Sequence, residues 1–145
     1  MNMVSESSAY LALGKIYFLR TMAGLSTDPT LAKQLLFSVR TDKLHFIESD
    51  AGVPLGYIAW ASINRDTLRQ LRATAAMPYY LHEWMEGSLS LVIDILVLPE
   101  WRASATRLLL RARRGHRSVV THRPRFGTRR YARRDGSTGS RGDAR

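Results

Sequence analysis

The chain has 145 residues, enough for one domain with a hydrophobic core and too few for two ordinary ones. Its formal net charge of +10 is carried by the end of the chain: residues 1–100 hold 8 Lys+Arg against 10 Asp+Glu, and residues 101–145 hold 14 Arg, no Lys and 2 Asp. The absence of cysteine excludes a disulfide framework and thiolate chemistry, and no apolar run approaches the roughly 18 residues of a membrane-spanning helix.

The opening residues lack the basic start and long apolar run of a secretory signal, so the expected compartment is the cytoplasm. Ser7 or Ser8 is placed to cap a first helix in which Leu11, Ile16, Leu19 and Met22 recur at helical spacing, and Gly24 supplies a stop. In "STDPTLAKQLLFSVR", Asp28 is an N-cap, Pro29 suits the first helical position, and Leu31, Leu35, Leu36 and Val39 form the buried face. Two β-rich runs, Leu44 to Ser49 and Leu55 to Ala61, flank a turn with Asp50, Gly52 and Pro54 and predict a hairpin. Asn64 caps a further helix through Leu68 and Leu71. After the irregular, aromatic "MPYYLHEWMEG", the run "SLSLVIDILV" predicts a strand covered on both faces. This order of elements indicates an α/β or α+β domain.

Residues 101–145 differ in character. A basic helix fits Arg102 to Arg114, but beyond Gly115 only scattered residues such as Val119, Val120, Phe126 and Tyr131 are available for burial, so disorder is expected. Arginine without lysine, mixed with Gly, Ala, Ser, Thr and Pro, is also the composition of a GC-rich gene translated out of frame. The segment is accordingly read as a frameshift-derived tail ahead of a nucleic-acid arm.

Asp94 is the residue with most chemical content. A carboxylate inside an apolar strand costs several kcal/mol if charged and unpaired, so it needs a partner or an altered protonation state. The residues leave two readings open: a catalytic or orienting carboxylate at a cleft, or one at a strand end, at a bulge or paired with an arginine. His45 is expected to point outward and His82 to pack, while His116 and His122 lie in the arginine-rich segment. No pair has metal-ligand spacing, so no metal site is expected. Ser62, Ser88 and Ser90 lack a nucleophile-elbow context, and there is no Walker loop or G-x-G-x-x-G.

Three segments together resemble the toxin-activating lysine acyltransferases, which fatty-acylate RTX protoxins such as haemolysin. "LALGKIYFLRTMA" is similar to the family's opening; "GVPLGYIAWASIN" matches a second segment at Pro54, Tyr57, Trp60 and Ala61; and "EWMEGSLSLVIDILV" keeps the spacing of Trp84, Gly87 and Asp94. The resemblance implies an acyltransferase-like domain over residues 1–100 with a fold like the GCN5-related N-acetyltransferases, a mixed sheet with helices on both sides. It implies transfer of an acyl group from acyl carrier protein, as co-substrate and with no bound cofactor, to an internal lysine of a protoxin. It assigns the family's catalytic aspartate to Asp94. The family's histidine has no counterpart here: Ser26 stands roughly at its place, and a serine hydroxyl does not titrate near neutral pH. The segment also departs from the family at Ser88 and Leu91.

Family members continue into further sheet-completing elements, whereas here recognisable sequence stops near Glu100. The expectation is an incomplete C-terminal part whose tail leaves a sheet edge open, with association such as a homodimer as the consequence. Two other functions are weighed: a nucleic-acid or anionic-surface binding module using the arginine tail, for which no specific nucleic acid is expected, and an acetyl-CoA-dependent acetyltransferase. Against the latter, no R-x-x-G-x-G/A loop follows the Asp94 strand, although a basic "RARRG" does.

Overall fold

The computed structural model describes residues 4–104, 107, 118–123 and 127–132. Ser5 caps α1 (Glu6–Met22), its hydroxyl accepting from the Ser8 amide, so the helix begins two or three residues ahead of the expected caps. α2 (Pro29–Arg40) starts as expected: Asp28 Oδ1 accepts from the Leu31 amide at 2.8 Å, and Pro29 fills a position whose missing N–H costs nothing. β1 (Leu44–Glu48) and β2 (Pro54–Ile63) form the expected hairpin. Asn64 caps α3 (Arg65–Thr74) through a 2.8 Å bond from the Thr67 amide. A 3-10 turn at Leu81–Trp84 leads to β3 (Leu89–Val97).

The sheet continues beyond β3. β4 (Ser118–Arg123) pairs parallel to β3, and β5 (Gly127–Ala132) pairs antiparallel to β4, completing the order β1-β2-β3-β4-β5. This corrects the expectation that nothing after Glu100 reaches the sheet. "SVVTH" is a short β-branched run, and Val120 is fully buried against Leu91 and Trp84 despite the arginines around it. The proposed basic helix from Arg102 to Arg114 falls largely outside the described residues.

Two apolar clusters lie on one face of the sheet. Ile16 and Leu19 of α1 and Leu35 and Val39 of α2 pack on Tyr57, Ala59 and Leu96. Leu68 and Leu71 of α3, with Trp84, pack on Ala61, Ile63, Leu89, Leu91 and Val120. The β2 members of both clusters are alternate residues, so α1, α2 and α3 cover the same face. The opposite face is less protected, with Ile95 48% exposed, so β3 is not covered on both sides as expected.

Two motif residues prove structural. Trp84 is fully buried, edge-on to Phe37 with ring centroids 5.6 Å apart. Gly87 passes so close to β2 that an added Cβ would sit 1.7 Å from the Ile63 carbonyl oxygen, leaving space for glycine alone.

Candidate functional site

Asp94 owes its direction to a β-bulge. Along β2 and β3 the register runs Ala61↔Leu91 and Trp60↔Val92, then Ala59↔Asp94, so Ile93 is an extra residue on β3. Without the bulge, with Ile93 paired in register, strict alternation from Leu89 and Leu91 would send Asp94 to the opposite face. With it, Leu89, Leu91, Asp94 and Leu96 share the helix-covered face.

There Asp94 meets an arginine. Arg20, in the last turn of α1, donates from Nη1 to Asp94 Oδ2 at 2.8 Å, and the two side chains are 8% and 23% exposed. The Tyr57 hydroxyl donates to the same oxygen at 2.5 Å and accepts from Arg20 Nη1 at 3.2 Å. Arg20 also donates from Nε to Thr27 Oγ1 at 2.8 Å and from Nη2 to the Ser26 carbonyl at 2.6 Å. One guanidinium thus ties the end of α1, the loop after it, β2 and β3 together. Burial, and then the bond to Asp94, push the Tyr57 phenol well above the ordinary tyrosine range, so it stays protonated as a donor.

Of the two readings the sequence left open, the structure shows Asp94 both at a bulge and paired with an arginine. Ser26, which the resemblance sets roughly at the histidine's place, accepts from Arg20 through its backbone carbonyl, and Arg20 donates in turn to Asp94. The bridge between them is a guanidinium, which holds a carboxylate but takes no proton near neutral pH. Arg20 was missed because the helical spacing was traced through apolar residues alone, two of which, Leu11 and Met22, are exposed; Arg20 is four residues from Ile16 and follows Leu19, on the buried face.

β3 and β4 share register through Ser90↔Val119, Leu91↔Val120 and Val92↔Thr121, and no further. Both strands run on, β3 to Val97 and β4 to Arg123, so they part after Val92. The residues just past the fork on the helix-covered face are Asp94 and, by alternation from Val120, the half-buried His122. His122 was passed over because its segment was read as a tail. The other described histidines lie elsewhere: His45 is exposed on β1, and His82 stacks on Tyr80 at 5.6 Å. Among the described residues no group of three His, Cys, Asp or Glu is placed to hold a metal. A separate cleft of about 470 Å³ lies between the start of α2 and residues 77–79, where Lys33 stands 3.5 Å over the Tyr79 ring; its lining includes neither Asp94 nor Arg20.

Comparison with solved structures decides the architecture. The chain is similar to the loading GNATL domain of CurA from Lyngbya majuscula, with a TM-score of 0.55 and 16% identity over 77% of this chain and 60% of that one. It is also similar to the GphF GNAT-like decarboxylase in complex with isobutyryl-CoA, with a TM-score of 0.52 and 17% identity over 83% of this chain and 63% of that one. The fold is GNAT-like. At such identities the likeness is one of fold, and the chain spans about three fifths of the length of either GNAT-like structure. No protein-family model and no curated protein matches the sequence. The expected GCN5-related N-acetyltransferase-like fold is therefore observed, with α1, α2 and α3 on one face of the mixed sheet rather than on both, while these comparisons do not reach the narrower toxin-activating family. Among the described residues no helix is long and apolar enough to cross a membrane.

Proposed function

We propose that this GNAT-like chain is an acyltransferase that draws its acyl group from a thioester. In its finer form, drawn from the sequence resemblance, it passes a fatty acyl group from acyl carrier protein to an internal lysine of an RTX protoxin. The observation that carries the reading is the parting of β3 and β4 directly beside the bulge that turns Asp94 inward. Past Val92 the β3 edge has no β4 partner in register, so its backbone groups offer hydrogen bonds to an extended amide-bearing ligand.

In the reaction the lysine nitrogen bonds to the thioester carbonyl carbon, the C–S bond breaks, and the departing thiolate receives the proton that nitrogen gives up. Asp94 Oδ2 already accepts two hydrogen bonds, so its part is to position the lysine through its other oxygen. His122 supplies the imidazole that the Ser26 position lacks. Co-expression with a protoxin and acyl carrier protein, followed by intact-mass measurement of the protoxin, tests this. The expected result is a gain of one fatty-acyl mass, reduced on the order of a hundredfold in rate by His122→Gln. A protoxin mass that stays unchanged with both acyl carrier protein and coenzyme A donors would overturn it.

A second reading rests on Arg129, Arg130 and Tyr131, consecutive exposed residues on edge strand β5. They favour binding of a polyanion such as single-stranded nucleic acid, with an affinity that falls steeply as salt rises. Salt-independent binding, or none, would exclude it.

A further inference from the structure

α1 buries one face and presents an uncovered apolar face on the other side. Inward lie Ala9, Ile16, Leu19 and Arg20. Outward, Tyr10, Leu11, Tyr17, Phe18 and Met22 are 45–66% exposed, and Leu25 just past the helix is 49% exposed. At about 100° per residue, the outward side chains within the helix span an arc of about 140° that also contains Ser7, Gly14 and Thr21. No charged residue falls in that arc.

Single exposed apolar side chains are ordinary, but a contiguous set on one helix face marks a contact surface. With aromatic residues burying ~150–250 Å² each when covered, the exposed portions of these six residues sum to roughly 650 Å². A stable pairing takes about 800 Å² from each partner, so this face with a modest rim is sufficient. Gly14 lies near the middle of the arc, and a Cβ added there would meet nothing within 4 Å. Mid-helix glycine weakens a helix relative to alanine, and among the described residues nothing requires it at this position. A helix backbone crossing closely from outside would require it.

We propose that the outer face of α1 is a homodimer interface, in which α1 packs on α1 of a second copy about a twofold axis passing near Gly14. A second copy is the occupant the face fits. A twofold contact lays one uncharged apolar arc on an identical one, with no charge left unpaired and none to select a charged partner. The interface is independent of the acyltransferase reading.

The absence of cysteine makes the test direct. The full chain carrying Gly14→Cys, whose Cβ has open space, is oxidised in parallel with His45→Cys on the exposed side of β1. The expected result is a disulfide-linked species of about 33 kDa, twice the 16.4 kDa chain, from Gly14→Cys alone. Sedimentation of the unmodified chain should show a concentration-dependent dimer, with a dissociation constant raised on the order of tenfold or more by Phe18→Glu. Because Phe18 is half exposed, that variant should keep the native circular dichroism spectrum. A chain that sediments as a monomer at tens of micromolar, cross-linking that fails to distinguish the two positions, or undiminished association of a folded Phe18→Glu variant would overturn the proposal. So would a monomer that instead pellets with phosphatidylcholine vesicles.

Discussion

Arg20 reaches Asp94 while its own side chain is almost wholly out of water, so removing either partner strands a charge in a poorly solvated site. Arg20→Met should cost about 3–5 kcal/mol in urea unfolding, and adding Asp94→Leu should restore part of the loss. A double variant no more stable than the sum of the single changes predicts would show that the two groups are not coupled. Tyr57 sets a second test. Its folded-state pKa is raised above the ordinary value near 10, so the unfolded chain releases the phenol proton first. The contribution is complete below about pH 10 and declines as pH rises above it. Tyr57→Phe should therefore lose about 1 kcal/mol at neutral pH, through the missing hydrogen bond, and show a shallower alkaline decline than the parent in unfolding curves.

At the scale of elements, the bulge and the close strand approaches carry the argument. Deleting Ile93 removes the extra residue itself, so β3 should return to strict alternation with Leu89, Leu91, Asp94 and Leu96 still on the helix-covered face. The Arg20–Asp94 pair should then survive, with a thermal midpoint lowered only by the lost packing of the Ile93 side chain; loss of the coupling between Arg20 and Asp94 in this variant would contradict the register. Gly87→Ala places a methyl against the backbone at Ile63 and Asn64, where no side chain can yield, and should cost roughly 3 kcal/mol or more. A thermal midpoint unchanged in Gly87→Ala would contradict this close approach. The helices were legible where local chemistry decides them: Asp28, Pro29 and Asn64 announce their own caps. The bulge was not, because an extra residue in "LVIDILV" changes neither composition nor length and is defined only by the partner strand. Nor was Arg20, whose burial depends on a carboxylate 74 residues away in the sequence.

For the whole molecule, the arginine-rich segment changes meaning once β4 is seen beside β3. Its apolar content is small, but Val120 alone fills a fully buried place, and Ser118 is buried where it accepts from Arg130 Nε at 2.7 Å. Such pairing is non-local and leaves little trace in a composition that reads as disorder. Removing residues 101–145 should expose the β3 edge along Ser90–Val92, lower the thermal midpoint and promote aggregation. A truncated chain as soluble and as stable as the parent would show that β4 and β5 are dispensable. On the proposed function, the acyl thioester binds in the fork between β3 and β4. Hydrogen exchange of the full chain, with and without acyl-acyl carrier protein or a fatty acyl-coenzyme A, tests it most directly. New protection over Ile93–Leu98 and at His122 is expected with one of these donors; saturating donor that leaves those amides exchanging at the unliganded rate would rule out binding in the fork.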